Sequence, residues 1–228
     1  MRQAVRRLAR WFGLLPGRRA AEEVFDVWAR DGRDDGMEVA HGPVARRVLA
    51  SLGLGPDSHY LDLGCGNGYT VRLVSARYGA TAVGVDASSE MIAKARSLSP
   101  HSPDVSFVCA SFPRHSLPER SFDVVFSMES MYYMVDLDEA LRAVLELLKP
   151  GGVFACAVDF YQENTASLGW PGYVGTDMKL LSAQEWRSAL EAAGFGAISQ
   201  RRVVIPEGEA QEPWHATVGS LLTVGRRI

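Results

Sequence analysis

The sequence predicts an α/β protein organised on a doubly wound, mainly parallel sheet, and three observations predict it. The first is Tyr60-Leu61-Asp62-Leu63-Gly64-Cys65-Gly66-Asn67-Gly68-Tyr69, an apolar run that breaks into glycine at every second position. It continues into Thr70-Val71-Arg72-Leu73-Val74, which has helical spacing, so the local pattern is strand, tight turn, helix. The second is Ala82-Val83-Gly84-Val85-Asp86, an apolar run that ends in an acid eighteen residues after Gly68. The third is a continued alternation of short apolar runs with helix-periodic segments, the pattern of parallel strands whose two faces are covered by crossover helices.

Taken from the amino end, residues 1 to 21 carry Arg2, Arg6, Arg7, Arg10, Arg18 and Arg19 and no acid, with Val5, Leu8, Trp11, Phe12 and Leu15 at roughly helical spacing. Pro16-Gly17 stops that helix. It reads as a solvated or partner-docking helix, an interfacial anchor on anionic lipid, or an organelle-targeting segment. Its short apolar stretch, interrupted by arginine, argues against a secretory signal. A second short helix is expected over Ala20 to Trp28, a loop over Arg30 to Gly36, and an amphipathic helix over Val44 to Leu52 that ends at Gly53-Leu54-Gly55-Pro56.

Strands are predicted near 58 to 63, 81 to 86, 104 to 109, 122 to 128, 152 to 159, 197 to 205 and 216 to 225. Helices fill about 68 to 78, 89 to 98, 137 to 148 and 183 to 193. An insertion follows the fifth strand, Phe160 to Leu181, containing Tyr161, Trp170, Pro171, Gly172 and Tyr173. The expected organisation is an amino-terminal segment over 1–56, a core over 57–228 and the insertion at about 160–181, all within one domain.

Composition narrows the function classes. A net charge of -3 argues against a whole-surface nucleic-acid binder. Cys65, Cys109 and Cys156 sit in or beside predicted strands or the glycine turn, which reads as reduced buried thiols in a cytoplasmic protein rather than a disulfide frame. No apolar run approaches the roughly 20 residues of a membrane span. His59, His101 and His115 are dispersed with no ligand spacing, so no metal site is expected.

The glycine turn carries the chemistry. Glycine is required where φ is positive or where backbone must approach a ligand, and the amides that open the following helix face whatever sits there. In a doubly wound sheet the carboxyl ends of neighbouring strands open on one crevice, where Asp86 can accept both hydroxyls of a ribose. The nicotinamide fingerprint is Gly-x-Gly-x-x-Gly, whereas here the third glycine arrives one residue early and Tyr69 follows it. That spacing tells against NAD.

With these residues in view, the chain resembles the class I S-adenosylmethionine-dependent methyltransferases of small-molecule type. The matching pieces are Leu61 to Gly68, Gly84 to Met91, Ser121-Phe122-Asp123-Val124-Val125 and Leu148-Lys149-Pro150-Gly151-Gly152, in the family's order and spacing. The resemblance implies seven strands, the last antiparallel and inserted beside the sixth, and an amino-terminal segment that folds over the cofactor as a lid. It implies S-adenosylmethionine as cofactor, S-adenosylhomocysteine as product, and direct in-line methyl transfer. The implied cofactor contacts are Asp62, Gly64, Cys65, Gly66, Gly68, Asp86, Ala87, Met91 and Met128, with Ala110, Ser111 and Phe112 at the adenine.

The family often has an acid after the third strand to bond the adenine amino group, whereas this chain reads Cys109-Ala110-Ser111-Phe112. The loop Ser127-Met128-Glu129-Ser130-Met131-Tyr132-Tyr133 lacks the Asn/Asp-Pro-Pro-aromatic signature of nucleic-acid amino-methyltransferases, so a nucleic-acid acceptor is not expected. Catalytic candidates are His41, as a histidine able to carry a proton, Glu129 and Tyr133. Trp28, Met37 and His41 are lid candidates, and Tyr132, Asp159 and Tyr161 lie near the expected mouth. The expected partner is a small-molecule substrate, with a peripheral membrane or protein contact through residues 1–19 kept open. Methylation of a protein side chain, a non-catalytic cofactor-binding adaptor and an NAD-dependent oxidoreductase stand as alternatives.

Overall fold

In the computed structural model of the chain, residues 19–99 and 102–228 are described. The basic helix expected before Arg19, and His101, lie outside the described residues. Among the described residues seven strands form one sheet: β1 (His59–Leu63), β2 (Thr81–Asp86), β3 (Val105–Cys109), β4 (Phe122–Met128), β5 (Leu148–Val158), β6 (Gly196–Val203) and β7 (Ser220–Arg226). Their spatial order is β3-β2-β1-β4-β5-β7-β6. The first five run parallel, and β7 lies antiparallel between β5 and β6, as the resemblance implies.

The helices are α1 (Ala21–Asp31), α2 (Met37–Leu49), α3 (Tyr69–Tyr78), α4 (Ser89–Leu98), α5 (Leu137–Leu147), α6 (Trp170–Val174), α7 (Ala183–Ala193) and α8 (Pro213–Thr217). Their starts are written in the sequence. The Ser88 hydroxyl accepts the Met91 N–H at 3.1 Å to open α4, and Asp136 accepts the Glu139 N–H at 2.9 Å to open α5. Ser182 and Glu185 form a reciprocal capping box on α7.

The period of two along each strand divides the core. Tyr60, Val124 and Phe126 pack on one face with Val44 and Val48 of α2, Val71 and Val74 of α3, and Ile92 of α4. Leu61, Leu63, Val125 and Phe154 pack on the other with Leu141 and Val144 of α5 and Trp186 and Leu190 of α7. Each fully buried side chain of this size contributes roughly 1.5–3 kcal/mol, so the two clusters are what hold the strand ends in place.

Three elements differ from their sequence pattern. The helix expected at 44 to 52 begins at Met37 and runs through Pro43, because burial of Gly42, Pro43, Val44 and Ala45 offsets the backbone bond that proline forgoes. Arg33–Gly36, expected as loop, closes into a 3-10 turn between α1 and α2. The strand expected at 216 begins at Ser220, after a helical turn over Pro213–Thr217 and Gly219 at φ 74°.

Candidate functional site

β1 ends in the glycine turn, whose shape follows from three left-handed glycines: φ is 75° at Gly64, 52° at Gly66 and 78° at Gly68. The N–H groups of Gly64 and Cys65 both donate to the Val85 carbonyl, at 2.8 and 3.0 Å, which folds the turn over the end of β2. There Asp86 accepts the Gly66 N–H at 2.9 Å and the Ser88 N–H at 2.8 Å. Burial raises the Asp86 carboxyl against the lowering effect of those two amides. Asp62, buried on β1, accepts the Thr70 hydroxyl. Burial pushes Asp62 up to about 7, with the Thr70 bond opposing and the Asp86 charge adding.

Beyond the ends of β4 and β5 the chain builds a second group. Glu129 takes φ 59°, donates its N–H to the Ala157 carbonyl at 3.0 Å, and turns its side chain inward. Its carboxylate accepts the Asp159 N–H and, at 2.8 Å, the Tyr132 hydroxyl. Burial, then the nearby Asp159 charge, raises Glu129 well above the usual carboxylate range. Asp159 is fully buried, and neither of its oxygens has a hydrogen-bond partner. His41 Nδ1 stands 3.5 Å from Asp159 Oδ2, within ion-pair reach but without hydrogen-bond geometry. His215, whose Nδ1 accepts the Glu212 N–H at 3.2 Å, is held below the ordinary histidine range by burial.

A cavity of about 610 Å³ joins the two groups, a size within the roughly 300–1,000 Å³ of small-molecule sites. One end is lined by Asp62, Gly64, Cys65, Gly66, Asp86 and Met91. The other is walled by aromatic rings from four segments: Phe25 and Trp28 of α1, Tyr132 and Tyr133 after β4, Trp170 and Tyr173 of α6, and Trp214 of α8. Phe25 meets both Trp28 and Tyr133 edge-on at 5.4 Å, and Trp170 meets Trp214 at 6.1 Å. α1 is fastened across α4, since Asp26 accepts the Ser88 hydroxyl at 2.6 Å. Buried Asp34 in the connecting turn receives Lys94 Nζ at 2.7 Å and Asn67 Nδ2 at 3.1 Å.

The structure therefore brings His41, Glu129 and Tyr133 to one cavity with Asp62, Gly64, Cys65, Gly66, Asp86, Met91 and Met128. Trp28 and Met37 also line it, whereas Tyr161 is buried beneath, donating to the Gly219 carbonyl at 2.8 Å. Gly68 is not among the lining residues, and a Cβ there would stand 2.5 Å from Phe107 and 3.1 Å from Ala95, so glycine is what lets α3 pack on the sheet at that point. Ala87, Ala110, Ser111 and Phe112 lie outside the lining, with Phe112 stacked on His115 at 5.2 Å. The sequence did not single out Phe25, Thr70, Glu212, Trp214 or His215. The signal for the last three was the short run Glu212-Pro213-Trp214-His215, a proline-opened aromatic turn ahead of the final strand. Among the described residues no group of acids, histidines and cysteines is arranged to hold a metal ion.

A family model described as a methyltransferase domain matches residues 61–156. A methyltransferase solved in complex with the Haloferax volcanii Trm112 methyltransferase activator is 34% identical, covers 89% of this chain and 97% of its own, and superposes with a TM-score of 0.82. An S-adenosylmethionine-dependent methyltransferase of Mesorhizobium loti, 23% identical, shares the fold with a TM-score of 0.66 over 82% of this chain and 97% of its own. The 2-methyl-6-phytyl-1,4-hydroquinone methyltransferase of Synechocystis is 33% identical over 155 residues, which is 58% of this chain and 49% of that protein. The chain spans between 43% and 66% of the length of the curated relatives it matches.

Proposed function

We propose, from the premise that the chain belongs to the class I S-adenosylmethionine-dependent methyltransferases, that it passes the methyl group of S-adenosylmethionine to a small-molecule acceptor by direct displacement. The observation that carries this reading is the single cavity with a glycine turn and two buried acids at one end and aromatic walls at the other. Each Asp86 oxygen holds one amide and keeps a lone pair, which suits the two hydroxyls of the cofactor's ribose. Asp62 faces the cofactor's ammonium, and Met91 and Met128 supply apolar surface. An adenine ring carried past Met91 meets Ala87 and Ala110, the latter tied to Asp86 by an N–H to carbonyl bond of 3.0 Å. Ser111 and Phe112 follow on that edge.

The bound sulfonium supplies an already activated methyl group, so the protein's work is to position the acceptor in line and to exclude water. α1 and Tyr133 close the cavity over the reacting centre, and His41 takes a proton where the acceptor must lose one. The test is transfer from methyl-labelled S-adenosylmethionine in a mixture of cell metabolites and cell protein. Label in the small-molecule fraction supports the reading; label confined to protein overturns it.

A second reading has its own observation. The Haloferax volcanii relative is solved with a protein activator, which favours reading this chain as one partner of such a complex. Stimulation of turnover or solubility by a co-expressed activator distinguishes this reading.

A further inference from the structure

The acids of the cavity are not balanced by cations. Among the described residues its lining holds Asp62, Asp86, Glu129, Asp159 and Glu212 and no lysine or arginine. Asp62 and Asp86 belong to the cofactor end, and both Glu129 oxygens are occupied by the Asp159 N–H and the Tyr132 hydroxyl. Asp159 stands apart: it is 0% exposed, lines the cavity, and has two oxygens without a hydrogen-bond donor, with the His41 imidazole 3.5 Å from one of them in ion-pair reach alone. A carboxylate removed from water is tolerated only when donors reach it, and His41 approaches one oxygen without hydrogen-bond geometry, so the donors still wanting belong to the occupant of the cavity.

That occupant is not the cofactor's own ammonium. Asp62 lies on β1 and Asp159 immediately follows β5, and β4 stands between those strands, which separates them by about 10 Å at the usual strand spacing. An ammonium held by Asp62 cannot serve Asp159 as well.

Resting on the methyltransferase reading above, we infer that the acceptor is an amine, bound as its ammonium between the Asp159 carboxylate and the rings of Trp28, Tyr133, Trp170 and Trp214, and methylated on nitrogen. Three donors of an ammonium satisfy both Asp159 oxygens at once, whereas a single hydroxyl satisfies one. The ring faces favour a cation and the absence of arginine and lysine disfavours a phosphate or carboxylate. In the reaction the ammonium gives one proton to the Asp159–His41 pair and becomes a neutral amine. Its lone pair forms the new N–C bond as the S–C bond breaks, and that bonding pair stays on sulfur as a neutral thioether. The product leaves as the methylated ammonium, and the proton on the pair passes to water.

The test uses the purified chain saturated with S-adenosylhomocysteine and titrated calorimetrically with three probes of one shape: 2-phenylethylamine, 2-phenylethanol and 3-phenylpropionate. The amine is expected to bind about tenfold or more tighter than the alcohol, as a charged hydrogen bond in a dry site requires, and the carboxylate not at all. In Asp159→Asn the amine falls to the affinity of the alcohol, with S-adenosylhomocysteine binding reporting that the variant is folded. Equal or tighter binding of the alcohol or carboxylate, no binding of the amine, or an amine preference that survives Asp159→Asn overturns the inference. Failure of S-adenosylhomocysteine to bind wild type overturns the methyltransferase reading instead.

Discussion

The Asp86 carboxylate accepts the Gly66 N–H at 2.9 Å, so the acid at the end of β2 is also what holds the glycine turn of β1 closed. A residue assigned to ligand is thus part of the scaffold. Asp86→Ala is expected to weaken S-adenosylhomocysteine binding at least 100-fold and to cost about 1–3 kcal/mol of stability, because two buried amides lose their acceptor. Asp86→Asn keeps an oxygen for one amide and separates the two effects. Calorimetry and urea unfolding on both variants measure them.

Gly64 lies against Ser130, so that a Cβ added to it would collide with the Ser130 Cβ and stand 2.5 Å from its Oγ. Its φ of 75° adds a conformational cost of about 1–2 kcal/mol for any L side chain. Gly64→Ala is expected to destabilise by more than that cost alone, and Gly64→Ala with Ser130→Gly to recover the steric part and keep the backbone part. Equal midpoints of the single and double variants in urea would show that the contact carries no strain.

Asp62 gives the ligand-free protein a defined pH dependence. Its carboxyl sits at about 7 when folded and near 3.9 in an unfolded chain. Between those values the folded state binds the extra proton, so the contribution is fully present below about pH 4 and is lost as pH rises through about 7. Asp62→Asn is expected to flatten that fall. Under the proposed pairing of Asp62 with the cofactor's ammonium, cofactor affinity is expected to run the opposite way, rising as pH passes through about 7. Chemical unfolding and calorimetry from about pH 5 to about pH 8, a range that spans that value, check both slopes.

Lys94 Nζ lies 2.7 Å from buried Asp34, which also receives Asn67 and so joins the lid turn to the glycine turn. Lys94→Met leaves that acid without its cation. The Lys94 side chain is partly exposed, which limits the loss to about 1–3 kcal/mol. The expected readout is faster proteolysis within α1 and weaker cofactor binding, with the sheet core unchanged by hydrogen exchange.

The fold was legible where the signal is local and periodic. β1, β2 and β4 are apolar runs bounded by glycine or acid, and α5 and α7 carry both their apolar stripe and their caps. What escaped were places where burial overrides a local rule, as at Pro43 inside α2. The glycine-turn end of the cavity was legible because one contiguous motif and Asp86 supply most of its lining. Trp214 and His215 were not, because they come from a short turn whose meaning depends on facing His41 and Asp159 across the cavity. At Gly68 the packing reason for glycine, the nearby Phe107 ring, was not legible because it comes from a strand almost forty residues away in the chain.

The most direct measurement is thermal unfolding of the purified chain with S-adenosylhomocysteine, with NADH and with neither. A ligand that binds only the folded state raises the midpoint, by roughly 5–10 °C at about a hundred times its Kd. A rise with S-adenosylhomocysteine alone is the predicted result. No rise with it, or a rise only with NADH, would contradict the assignment of the glycine turn and of every residue role built on it.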